Sequence, residues 1–133
     1  MQGNLSLNGY INETQYMKHE DFIREAIRIS RENMEKGGGP FGAVIVQDGE
    51  IIARAGNGVT TRNDPTAHAE INAIRKACDK LDTYDLSGCV LYSSCEPCPM
   101  CLGAIYWARL DGIWFGADRD DAAHAGFDDS FIY

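Results

Sequence analysis

The sequence of 133 residues has no apolar stretch approaching the roughly 18 that a membrane-spanning helix needs. Its Gly/Asn-rich beginning lacks the basic and apolar regions of a secretory signal, so the expected compartment is the cytoplasm. Positive charge is scarce: 12 Lys and Arg stand against 20 Asp and Glu, a formal net charge of −8. A surface built to hold a phosphate backbone needs the opposite balance, which disfavours nucleic acid as a partner and favours a small or locally neutral substrate. Cysteines number five, an odd count with two of them in a metal spacing, which fits a reducing compartment better than a disulfide framework. Internal repeats and low-complexity tracts are absent, and the length suits one domain that buries roughly two-thirds of its unfolded surface.

Hydrophobic spacing organises what is present. Residues 1–16, polar with Asn and Gly interspersed, read as a flexible or loosely docked extension, and residues 17–133 as the domain. Over about 20–35, Phe22, Ile23, Ala26, Ile27, Ser30 and Met34 recur at helical spacing, opposite Arg24, Arg28, Arg31 and Glu32. Gly37-Gly38-Gly39 and Pro40 stop that helix. Ala43-Val44-Ile45-Val46, Asp48-Gly49 and Ile51-Ile52-Ala53 predict a β-hairpin. A polar loop over 56–63 leads to a helix predicted over about 66–80, with Asp64 capping and Pro65 in the first turn. A strand at 90–93, a short helix at 99–108 and a strand at 113–116 follow, then an acidic, Gly-punctuated tail. This alternation predicts a three-layer α/β/α sandwich, and the crossover from Val90 to Ile113 makes the central sheet mixed.

The chemistry concentrates in His68-Ala69-Glu70 and Pro97-Cys98-Pro99-Met100-Cys101. One imidazole and two thiolates leave the fourth position of a tetrahedral zinc to water, whose pKa the metal lowers to roughly 7. H-x-E followed by P-C-x-x-C is the signature of zinc deaminases. Both sets fall at expected helix starts, where unpaired N–H groups favour thiolates and a neutral His68. Cys98 and Cys101 as plain core thiols is the blander reading, outweighed by the coincidence of the two motifs. Cys95-x-x-Cys98 has the same spacing, so a Cys95/Cys98 pair or a three-cysteine site displacing His68 stays open; the proline before Cys98 favours Cys98/Cys101. Cys78 and Cys89 read as core or partly exposed thiols.

Glu70 would ordinarily be a solvated carboxylate suiting a helix dipole. Beside a metal-held water it can take a proton, pass it to a ring nitrogen of an aminated heterocycle and help protonate departing ammonia. His19 reads as a surface residue, and His124 as a surface or indirect one near the acidic tail. Tyr106, Trp107, Trp114 and Phe115 are core candidates by spacing, although Trp107 and Phe41 also lie near the site elements.

These segments resemble the cytidine deaminase superfamily, and within it the bacterial guanine deaminase branch. The resemblance runs from Gly39-Pro40-Phe41-Gly42 to the last residue. Asn57, Asn63-Asp64-Pro65-Thr66-Ala67-His68-Ala69-Glu70, the stretch 94–109 and Ala125-Gly126-Phe127-Asp128-Asp129-Ser130-Phe131 carry it. The last of these, more than the zinc motif, points to guanine. The resemblance implies that His68, Cys98 and Cys101 hold Zn2+, that Glu70 is the proton shuttle and that Asn57 contacts the purine. It implies further that Asp129 engages the leaving amino group or ring edge, and that Phe41 and Trp107 shape the base pocket. The implied reaction is water attack on C2 of guanine, giving xanthine and ammonia. A homodimer is also implied, because relatives continue past the Phe-Asp-Asp-Ser-Phe segment with a helix and tail often exchanged between subunits; the present sequence ends at Tyr133. A carboxylate such as Asp129 suits a base edge that displays N–H and amino donors.

Other readings compete. A tRNA adenosine deaminase shares the zinc motif but demands a basic surface, which a net charge of −8 opposes. Cytosine or another aminated ring, such as a triazine, is a further alternative substrate. A zinc-structured binding protein without catalysis is opposed by the presence of Glu70 and by a count of three ligands rather than four.

Overall fold

Ala43-Val44-Ile45-Val46 is apolar on both faces, the pattern of a strand covered from both sides. The computed structural model of the chain, which describes residues 3–6, 13–118, 120, 121 and 126, makes it the inner strand β2 (Gly42–Gln47). β3 (Glu50–Gly56) pairs antiparallel on one side of β2 and β4 (Cys89–Cys95) antiparallel on the other. Asp48 and Gly49 both take positive φ, 51° and 79°, as a tight hairpin turn matched to strand twist requires. β5 (Gly112–Ala117) runs parallel to β4, and β1 (Gly3–Ser6) adds antiparallel beyond it, giving the order β1-β5-β4-β2-β3. The sheet is therefore mixed, as expected. Residues 3–6, inside the polar N-terminal stretch, pair from Gly3 with Phe115 to Ser6 with Gly112.

Helices cover both faces. α1 (Glu13–Glu35) packs on β2 and β4 from one side. α3 (Ala69–Leu81) packs on β3 and β2 from the other, beside α4 (Pro99–Ala108). This is the predicted α/β/α sandwich. The two interfaces differ in side-chain size: Ile23, Val44, Val46, Tyr92 and Trp114 fill the α1 side, whereas Ala43, Ala53, Ala55, Ala69, Ala73 and Ala77 let α3 lie close to the sheet.

Three local expectations are corrected. α1 starts at Glu13 rather than near residue 20. A one-turn helix, α2 (Val59–Arg62), occupies the stretch read as loop. α3 starts at Ala69, not 66, because Asp64 Oδ1 accepts bonds from both Thr66 N (2.9 Å) and Thr66 Oγ1 (2.7 Å), closing a turn of its own that leaves His68 in the N-cap position.

Strand register decides what shares the functional rim. Gly42 lies opposite Gly56, Ala43 opposite Ser93, and Cys95 opposite Ala117. Phe41 before β2, Asn57 after β3, Cys98 after β4 and Asp118 after β5 consequently leave the sheet at one end. Gly58 N–H donates to Ala67 O at 2.8 Å, which brings the start of α3 to the same rim.

Candidate active site

Two helix starts make the metal centre. His68 (φ −66°, ψ 155°) and Cys98 (φ −70°, ψ 171°) are the N-cap residues of α3 and α4, extended rather than helical, and neither side chain is spent on capping. Cys101 follows in the first turn of α4 and is fully buried. His68 Nδ1 lies 3.5 Å from Cys98 Sγ and 3.5 Å from Cys101 Sγ. A tetrahedral zinc with bonds of about 2.3 Å to sulfur and about 2.0–2.1 Å to nitrogen has N···S edges of about 3.5 Å, which both observed N···S distances match. The three ligand atoms all lie within 4.8 Å of one another, the one such grouping among the described residues.

The three ligand side chains share their protons, and Cys98 is the one driven toward its ligating form. The Cys98 thiol is held down at about 4, first by the hydrogen bond from Cys101 and then by that from His68, while Cys101 is pushed up by sharing that proton and by burial. His68 is raised chiefly by its bond to Cys98. One thiolate is thus favoured by the fold, and two thiolates with a neutral imidazole would balance a dication. Cys95 does not join the group. Its Sγ donates to Asp118 O at 3.9 Å, and burial first, then Glu70, pushes its thiol up to about 11.

Glu70 occupies the first turn of α3, is only 7% exposed, and contacts Cys101. Burial pushes its carboxyl up to about 7, the range in which an acid can both accept and return a proton near neutrality. The loops that carry Phe41 and Asn57 are tied to each other. Asn57 N–H donates to Phe41 O at 3.2 Å, and Asn57 Oδ1 accepts from Val59 N–H at 3.0 Å, which fixes the amide and leaves Nδ2 as its donor end. Phe41 is half-buried against the α3-side core.

The family model for the cytidine and deoxycytidylate deaminase zinc-binding region matches residues 16–117. The chain belongs to this deaminase family. It is 63% identical to the guanine deaminase of Bacillus subtilis over 118 residues, covering 88% of this chain and 76% of that protein. The tRNA-specific adenosine deaminase of Aquifex aeolicus is 46% identical over 110 residues, covering 83% and 72%. The X-ray structure of the Bacillus subtilis guanine deaminase superimposes with a TM-score of 0.85, over 86% of this chain and 74% of that one. Zinc is the family's metal, and the His68, Cys98 and Cys101 cluster is where this deaminase domain offers ligands for it.

Not every candidate converges. Asp129 and His124 lie outside the described residues. Trp107 and Tyr106, expected in the core, stand 72% and 64% exposed on the outer face of α4, with the Arg109 guanidinium 4.7 Å from the Tyr106 ring. Cys101, Ile105 and Ala108 are the fully buried residues of α4, with Leu102 packed partly against the same core. His19, expected on the surface, is half-buried: it stacks on Trp114 with centroids 4.2 Å apart and hydrogen-bonds the Tyr92 hydroxyl. Two amides that no motif marks tie the rim segments together: Asn33 donates to Gly39 O and Asn57 O, and Asn72 to Gly56 O and Ala67 O. An Asn inside an amphipathic helix on the core-facing side is the signal that would have found them.

Proposed function

We propose that the protein catalyses the hydrolytic deamination of guanine to xanthine and ammonia. The carrying observation is the conjunction of 63% identity to a guanine deaminase along most of both chains with a His68, Cys98 and Cys101 cluster of zinc-sized edges beside a buried Glu70. Bound by these three residues, zinc supplies a water whose pKa falls to about 7. Glu70 would take one proton from the attacking water and pass it to the ring nitrogen next to C2, then take the second proton of that water from the new C2 hydroxyl and give it to the amino group, which leaves as ammonia while the C2 carbonyl forms. The Asn57 Nδ2 donates to an acceptor on the purine, and Phe41 packs on the ring. Asp129 is assigned to the 2-amino and N1–H donor edge, on the chemistry of a carboxylate facing two donors. The protein works as a cytoplasmic enzyme on a free base; among the described residues no helix is long and apolar enough to cross a membrane.

A homodimer completes this reading. Trp107, Tyr106 and Met100 expose large apolar surface on α4, next to a groove of about 420 Å³ lined by Leu102, Ile105, Leu110 and Ile113. A second copy would cover that surface, and Trp107 would then reach a base pocket from across the interface. The deciding experiment is ammonia release by zinc-loaded protein offered guanine, cytosine, adenine and adenosine-bearing RNA. Guanine should be consumed with xanthine formed; preference for any other substrate overturns the assignment.

A further inference from the structure

Asn33 lies in the last turn of α1, where the helix is already closed by backbone alone. Gly37, at φ 85°, turns the chain, with Gly37 N–H bonding Met34 O at 3.0 Å and Gly38 N–H bonding Asn33 O at 2.9 Å. The Asn33 side chain is therefore not needed as a cap. Its Nδ2 instead donates to two carbonyls on different loops, Gly39 O and Asn57 O, each at 2.8 Å. Three glycines make room for this bridge. A Cβ on Gly56 would stand 2.5 Å from Asn33 Oδ1, one on Gly38 would overlap Asn33 Nδ2, and one on Gly39 would press on the Asn57 side chain at 3.2 Å. The Gly37-Gly38-Gly39 run thus does more than stop a helix.

A second amide continues the bridge on the metal side. Asn72, 3% exposed on α3, donates from Nδ2 to Gly56 O at 3.0 Å and to Ala67 O at 3.2 Å, the residues preceding Asn57 and His68. The chain of bonds runs from α1 through Asn33 to Asn57, and from Gly56 through Asn72 to the turn carrying His68.

We infer that Asn33 is a positioning residue for the base pocket: its carboxamide sets the place of Asn57 and the 39–41 loop relative to the zinc ligands, without itself touching the base. This rests on the reading that Asn57 contacts the purine. Asn33→Asp keeps the shape but removes both donors. Gly56→Ala leaves Asn33 in the sequence but pushes its amide out of place, and so tests the same bridge should the first variant fold poorly.

In both variants bound zinc should equal that of the wild type, and the Asn57 amide, which bonds Phe41 O, should exchange its hydrogen faster. KM for guanine should rise roughly tenfold with kcat changed less than about threefold, since a misplaced substrate contact weakens binding more than chemistry. Faster Asn57 exchange with an unchanged KM would overturn the inference, as would kcat falling with zinc content while KM holds. Failure of the wild type to deaminate guanine overturns the functional reading instead, and the bridge is then judged by KM for whichever base the ammonia assay identifies.

Discussion

The helices α1 and α3 meet the two faces of the sheet with side chains of opposite size. On the α1 face Tyr92 and Trp114, with Ile23, Val44 and Val46, supply bulk and hydrophobic area, and the half-buried His19 is accommodated by stacking and a hydroxyl partner. On the α3 face Ala69, Ala73 and Ala77 meet Ala43, Ala53 and Ala55. Large side chains bury more area per residue. Small ones bring a helix axis close and leave few rotamers that could shift it. The helix that carries Glu70, with His68 at its start, puts alanines against the sheet, while Ile45, Leu86, Leu91, Ile105, Leu110 and Ile113 fill the rest of that core, so the place of α3 depends on backbone proximity and support on the other face depends on area.

The sharpest break in this comparison is chemical. Glu70→Gln, which keeps shape but cannot shuttle a proton, should retain zinc while kcat falls by about 10²–10⁴. Zinc analysis with turnover of the same sample checks it, and loss of zinc would mean that Glu70 is a ligand. Next, Trp114→Ala on the bulky face should cost about 3–5 kcal/mol in denaturant unfolding, yet the folded fraction should keep its zinc. Ala73→Leu on the tight face should cost less, about 1–3 kcal/mol, but lower zinc occupancy, because it lifts the helix whose start carries His68. An Ala73→Leu protein with full zinc and normal turnover would remove the claimed contrast between faces.

Smaller effects sharpen the same contrast. Tyr92→Phe removes the partner of His19 and should destabilise by about 1 kcal/mol, with guanine turnover unchanged. Burial lowers the His19 pKa below its ordinary 6.5, so the folded chain binds fewer protons than the unfolded one just below that pH. Its contribution to stability is therefore present above about 6.5 and declines as pH falls through the window beneath it. Thermal melts of His19→Gln between neutral and mildly acidic pH should show a shallower decline than the wild type.

Much of this site is legible in the sequence because it is local. H-x-E spans three residues and C-x-x-C four, and each sits where a helix begins, so backbone geometry alone brings the side chains of each motif together. The hairpin was legible for the same reason, through Asp48-Gly49. The start of α3 is not legible, because Asp64 can cap a helix or close a turn with Thr66, and nothing within those few residues chooses between them. The exposure of Trp107 is not legible either, because α4 is apolar nearly all round, which leaves spacing unable to say which side faces in.

The sequence alone is enough for the metal motif, the acid beside it, the order of the three long helices and of β2 to β5, and the mixed sheet they form, but not for β1 or α2. Only the tertiary structure decided that His19 reaches Tyr92 across 73 residues, that Cys95 turns away to Asp118 while Cys98 and Cys101 face His68, and that Asn33 spans the loops of Gly39 and Asn57. The physical reason is range. Motif spacing is set by a few dihedral angles along one stretch of chain, whereas these contacts depend on strand register and helix-to-sheet distance, which arise only when the whole sheet is packed.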